Sequence, residues 1–208
     1  MRVALAALAL ALASTLSCVA AAQGGSRLQL TTPEIGRRPR ASVALLAGYG
    51  LPVDTFAGDM SPYRFGFGAR AGATFPVGAY VGGTFVKHVG TRRLGTREGG
   101  TTAYVAIAHD TLVGPEIGWD VSLSRRIFLR PFVGGGLLLT LGKTAVGSAS
   151  ISDDHAWFYL APGLLAAHRS GDLFVGIDLK MTIVPAQSVK QWAPAGMLVL
   201  GMELGAGR

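Results

Sequence analysis

The stretch Leu173-Phe-Val-Gly-Ile-Asp-Leu-Lys-Met-Thr-Ile183 decides the fold class. Leu173, Val175, Ile177, Leu179, Met181 and Ile183 fall on one face of an extended chain; Phe174, Gly176, Asp178, Lys180 and Thr182 fall on the other. Successive side chains of a strand point to opposite faces, so this period of two predicts a β-strand. A helix would place Asp178 and Lys180 inside its apolar stripe.

The same split recurs on both sides of that stretch. In 127–140, Ile127, Leu129, Pro131, Val133, Gly135, Leu137 and Leu139 alternate with Phe128, Arg130, Phe132, Gly134, Gly136, Leu138 and Thr140. Segments 113–124 and 63–75 repeat it, and weaker versions run over 41–51, 79–89, 157–167 and 193–204. That predicts eight strands, each near or above the roughly 9–11 residues that cross a bilayer when tilted. The connections alternate in length. Pro76-Val77, Ser124-Arg125-Arg126 and Ser170-Gly171 are short, whereas 52–62, 90–101, 142–156 and 185–192 are longer and polar. Tight turns at one end and long loops at the other are the pattern of an up-and-down transmembrane barrel, with the turns in the periplasm.

Composition narrows the class further. Half of the 208 residues are hydrophobic and 15% are charged, with 30 glycines and a net charge of +7. Such apolar content excludes disorder, and the glycine content excludes a coiled coil. The length suits one domain after a leader rather than a multidomain enzyme. Met1-Arg2, the apolar run from Val3 to Leu16 and Ala20-Ala21-Ala22 form a secretory signal peptide over 1–22, with Gln23 as the new N-terminus. Thr15, Ser17 and Cys18 shorten the apolar run below the roughly 20 residues of a spanning helix. Leu16-Ser17-Cys18 resembles a lipobox, but Thr15 stands where its usual leucine would be. Cys18 is the single cysteine, so the exported chain can hold neither a disulfide nor a thiolate metal site. Residues 23–40, with Arg27, Arg37, Arg38 and Arg40, are expected to form a flexible basic arm, and 41–208 the barrel.

A membrane barrel turns its apolar face outward. Here the second face is made of Gly, Ala, Ser, Thr and a few charges, without the Lys- and Glu-rich character of a solvated exterior. It is therefore assigned to a narrow lumen and the bulky face to lipid. Tyr49, Tyr63, Phe75, Tyr80, Trp119 and Trp157 stand near strand ends, as in an interfacial girdle. The lumen charges are Arg64, Arg70, Arg130 and Lys180 against Glu116, Asp120, Asp178 and Glu203. Buried charges are costly unless paired, so an ion-pair network filling the lumen is expected, with Asp120 opposite Arg130 across the turn at Arg125. The register of 79–89 is open. A two-residue turn at Pro76-Val77 sends Phe85 and Lys87 inward, with Phe85 over Gly68; a three-residue turn sends both outward. Pro115, Pro131, Pro162 and Pro194 lie inside strands and must sit at bulges or rims.

The segments Leu112-Val-Gly-Pro-Glu-Ile-Gly-Trp-Asp120, Leu129-Arg-Pro-Phe-Val-Gly-Gly-Gly136, Ala161-Pro-Gly163 and Leu173-Phe-Val-Gly-Ile-Asp178 resemble strands of the small outer-membrane β-barrels of Gram-negative bacteria, the OmpA/OmpX-like, porin-family group. The resemblance covers roughly 41–208 and implies an all-β, eight-stranded antiparallel barrel in the outer membrane, delivered by the barrel-assembly machinery. It implies no substrate. Members of the group usually end in an aromatic residue; this chain ends Met202-Glu-Leu-Gly-Ala-Gly-Arg208, which departs from that signal or leaves its role to Leu204.

A search for chemistry finds little. His109-Asp110 and Asp153-Asp154-His155 are the only acid–His clusters. Adjacent residues of a strand point apart and rarely converge on one water. Gly134-Gly-Gly136 has no following helix or lysine, so it is no phosphate loop. No catalytic residue, metal site or cofactor is expected. The dispersed loop charges Arg92, Arg93, Arg97, Lys143 and Lys190 suit lipopolysaccharide phosphates, and no aromatic–basic platform for nucleic acid is present. The expectation is a monomeric outer-membrane barrel of structural or surface-interaction type. The alternatives are a narrow barrel that binds or passes a small apolar ligand or ions, opening laterally near Pro162 or Pro194, and a lipid A-modifying enzyme using His109 or His155. A soluble lipocalin-type barrel would need a helix, which the sequence does not offer.

Overall fold

The computed structural model describes residues 39–51, 63–96, 103–146, 149–185 and 191–204, all within the compact unit Pro33–Arg208. The predicted signal peptide and nearly all of the arm lie outside the described residues.

Period-two alternation becomes strand throughout. The described elements are β1 (Arg40–Gly50), β2 (Phe65–Thr74), β3 (Ala79–Thr96), β4 (Ala103–Trp119), β5 (Val121–Ser122), β6 (Ile127–Val146), β7 (Ala149–Ser170), β8 (Leu173–Val184) and β9 (Gln191–Leu204). β5 continues β4 after a break at Asp120, so the wall has eight strands. Every pairing is antiparallel, and β1–β9 together with β4–β6 close the sheet on itself. Closure removes the free edges that a sheet in lipid could not leave unpaired.

The faces are inverted relative to a soluble barrel. On β8, Leu173, Val175, Ile177 and Leu179 are exposed while Phe174, Asp178, Lys180 and Thr182 are buried. The outward set Leu45, Phe67, Val81, Ile117, Val133, Leu198 and Leu200 continues an apolar band around the wall. Water would not tolerate so much contiguous apolar surface on a monomer; hydrocarbon does. Inside, Leu46, Val86, Leu112, Phe128, Phe132, Leu138, Leu165, Met197 and Val199 form a packed cluster. An eight-stranded lumen is narrow enough for side chains to fill.

Three sequence expectations are corrected. First, β3, β4, β6 and β7 run 18, 17, 20 and 22 residues, deep into the segments expected to be loops at 90–101 and 142–156. Ladder hydrogen bonds do not depend on the bilayer, so pairing continues where the apolar alternation has ended. Second, Tyr63 and Tyr80 are not girdle residues: both point inward and are buried. Trp157 is half-buried against the interior cluster, whereas Tyr49, Phe75 and Trp119 do face outward. Third, β1 begins at Arg40, which was expected in the arm.

The register of β3 is settled by its turn. The Gly78 N–H donates to Phe75 O at 2.9 Å and the Phe75 N–H to Ala79 O at 2.8 Å. This leaves a three-residue loop, Pro76-Val77-Gly78, with Gly78 at φ 91°, a conformation that favours glycine. Phe85 therefore faces outward opposite Ala69, and Lys87 opposite Phe67. Two of the four strand prolines, Pro115 and Pro162, are accommodated where a ladder is interrupted, whereas Pro131 and Pro194 pair within continuous stretches of β6–β7 and β8–β9. The β4–β6 pairing skips from Val113 to Glu116 around Pro115, and the β7–β8 pairing skips from Leu160 to Gly163 around Pro162.

Glycines on the inner face admit the large inward rings. A Cβ on Gly72 would lie 2.6 Å from both the Tyr80 ring and its hydroxyl, and 2.6 Å from Val81 O. Gly72→Val is expected to destabilise the barrel by about 1–3 kcal/mol through overpacking, read as an earlier urea midpoint in lipid vesicles; an unchanged midpoint would show that both the Tyr80 ring and the β3 backbone at Val81 yield at little cost.

Candidate functional site: the barrel lumen

Alternation of β1, β2, β4, β6, β7, β8 and β9 aims charged side chains into the lumen at two levels. In the first, Arg70 on β2 crosses to two walls. Its Nε lies 2.7 Å from Glu116 Oε2 on β4, and its Nη2 donates to Glu116 Oε1 at 3.1 Å and to Asp178 Oδ2 on β8. The guanidinium also stands 4.7 Å from the centre of the Phe132 ring. Arg70, Glu116 and Asp178 are each at most 4% exposed. Lys180 is buried on the same face of β8, without a salt bridge of its own among the described residues.

The second level lies toward the short turns and forms a chain. Arg130 Nε donates to Asp120 Oδ1, and its Nη2 donates to Asp120 Oδ2 at 3.0 Å and to Thr74 Oγ1 at 3.2 Å. The Thr74 hydroxyl donates to Asp120 Oδ2 at 3.1 Å. Arg169 Nη2 lies 3.6 Å from the same oxygen, and its Nε donates to Glu203 Oε1 at 2.9 Å. Arg40 Nη1 then donates to Glu203 Oε2 at 3.1 Å. Aromatic faces separate these cations: Arg130 stacks 3.7 Å over Tyr80, and Arg169 stacks 4.0 Å over Phe128. A planar guanidinium suits both the bidentate carboxylate and the ring face.

Of the eight residues expected in the lumen, Arg70, Glu116 and Asp178 meet in one group, and Asp120, Arg130 and Glu203 belong to the other. Arg64 belongs to neither. It is exposed at a bend one residue before β2, beyond the last pair of the β1–β2 ladder. Sequence reasoning missed Arg40 and Arg169. Both continue the inward parity of their strands, through Ser42–Ala44–Leu46 and Leu165–Ala167, so extending the alternation one residue before 41 and two residues past 167 would have found them.

The acid–His clusters are dispersed. Asp110 is buried inside, whereas the neighbouring His109 points to the outer face. The inward ladder partner of Asp110 is His88 on β3, whose ring packs edge-on to Tyr63 with centres 5.5 Å apart. Asp154 is exposed and accepts from the Ser152 hydroxyl at 3.1 Å. His155 is exposed with its ring 5.7 Å from that of Trp157. The side chain of Asp153 lies outside the described residues.

No protein-family model and no curated protein sequence matches the chain. Among solved structures, a major outer membrane protein from Thermus thermophilus is similar over 81% of this chain and 100% of its own, at 11% identity and a TM-score of 0.59. Ail, the attachment invasion locus protein of Yersinia pestis, crystallised with a heparin analogue, is similar over 80% and 97%, at 12% identity and a TM-score of 0.48. The N-terminal β-barrel domain of Pseudomonas aeruginosa OprF is similar over 80% and 100%, at 11% identity and a TM-score of 0.45. Closed topology, apolar exterior and the first of these similarities together describe one fold, that of a bacterial outer-membrane β-barrel.

Proposed function

We propose that this barrel is closed to solutes and works as a structural or surface-interaction protein of the outer membrane, not as an enzyme. The observation that carries the reading is Arg70, held between Glu116 on β4 and Asp178 on β8 and so braced across the lumen. Phe132 covers that guanidinium, and the Leu46, Leu112, Leu138 and Met197 cluster fills more of the interior. A rigid plug of this kind leaves function to the long-loop end and the outer wall. There Lys143 is exposed on the outward face of β6, and Lys87 is half-buried on that of β3. Both suit the phosphates of lipopolysaccharide, which a polar headgroup layer presents above the apolar band.

The test is electrical. The protein, refolded and verified by its heat-dependent mobility on a denaturing gel, is expected to give no unitary conductance in a planar bilayer. Steady openings from the wild-type barrel would overturn the plug and make the chain a narrow pore. A laterally opening barrel is the second reading, and the interrupted β7–β8 pairing at Ala161-Pro162 is the observation that favours it. Ala161 and Thr182 are nevertheless buried beside that gap, which favours the plugged form.

A further inference from the structure

At the short-turn end the wall carries a basic recess that the bracing of the lumen leaves open. Arg40, Arg125, Arg126, His168, Arg169 and Glu203 line a half-open cavity of about 350 Å³. Arg40 and Arg169 reach it from inside the mouth, whereas Arg125 and Arg126 come from the turn between β5 and β6. His168 faces outward on β7.

Among the described residues the recess holds surplus positive charge: Glu203 is the one carboxylate lining it and is already shared by Arg40 at 3.1 Å and Arg169 at 2.9 Å. Two further acids lie close by: Asp120, on the lumen side of Arg169, and Asp172, exposed in the turn before β8, whose carbonyl oxygen accepts from the Glu203 N–H at 2.7 Å. Arg169 Nη2 is buried without a hydrogen-bond acceptor, its partner Asp120 Oδ2 lying at 3.6 Å. Arg125 and Arg126 are exposed and unshielded by any carboxylate among the described residues. Forked donors of this kind, arranged around a concavity, match the oxygens of a phosphate.

The outer wall indicates where that phosphate comes from. His168 is flanked in the ladder by Ile127 and Val175, which are 44% and 54% exposed on the apolar band. Acyl chains lying on that wall would carry a headgroup to the rim, beside Arg125 and Arg126. We propose that the recess binds the phosphate of an anionic phospholipid in the leaflet at the short turns. This rests on the reading that the barrel spans a bilayer.

The test uses the full exported chain, refolded in zwitterionic micelles and checked by its heat-dependent mobility. Absence of that shift would overturn the spanning reading itself, before any lipid is added. The folded protein is then titrated with phosphatidylglycerol and with phosphatidylcholine and followed by native mass spectrometry. Preferential retention of phosphatidylglycerol is expected. Replacing two exposed arginines (R125Q/R126Q) is expected to weaken that retention by about 25-fold, at about fivefold per arginine. Arg64→Gln, exposed at the opposite end, should leave it unchanged. Equal retention of the two lipids by the wild-type barrel would overturn the inference, as would an equal loss in R64Q. Inorganic phosphate that binds without any lipid preference would overturn the lipid source and assign the recess to a free anion.

Discussion

Arg70→Ala is expected to cost the folded barrel about 3–5 kcal/mol, because it strands two buried carboxylates without their ion-pair partner. Glu116 and Asp178 are 2% and 0% exposed, and both lie against the Arg70 guanidinium. The loss would be read as a large fall in the urea midpoint of the vesicle-embedded protein, followed by gel mobility. Neutralising all three groups together, as Arg70→Met with Glu116→Gln and Asp178→Asn, should recover most of it, since an apolar or neutral replacement of a buried triad is often tolerated. If Arg70→Ala left the midpoint unmoved, the two carboxylates would be hydrated in a water-filled lumen and the plug would be wrong.

Leu200→Arg tests the inversion of the faces. Leu200 is 59% exposed on β9 and sits between Leu45 on β1 and Val175 on β8, both outward and exposed. At the middle of a bilayer an arginine there should cost about 2–4 kcal/mol, whereas near the interface the cost falls to about 0–1 kcal/mol. Leu204→Arg, at the end of the same strand, is the matched control and should change stability little. On a soluble barrel both positions would be solvated surface, and each change would stay within about 0.5 kcal/mol. Equal, small effects at the two sites would therefore remove the membrane reading, while a steep difference between them would measure the depth of each residue.

The strands and their faces were legible in the residues themselves. The alternation of 173–183 reads directly as outward Val175, Ile177 and Leu179 against inward Asp178 and Lys180, and it does so because a strand has a period of two whatever surrounds it. The meeting of Asp120 and Arg130 was legible for the same reason, since a short turn ties the two positions into one rung.

What lies across the barrel was not legible. Arg70, Glu116 and Asp178 come from three strands that are not neighbours around the ring, and only the curvature and stagger of the closed sheet bring them together. The inward placement of Tyr80 depended on one added turn residue, Gly78, because a slip of one residue exchanges the two faces of a strand. The chain from Arg40 through Glu203 and Arg169 to Asp120 joins the first strand to the last, and closure makes those two strands adjacent. The sequence by itself determined the β class, the apolar exterior and the identity of most inward charges, all of which follow from local alternation. Which of those charges meet, and which rings cover them, was decided by tertiary structure alone, because partners so far apart in the chain are set by register and by closure of the ring.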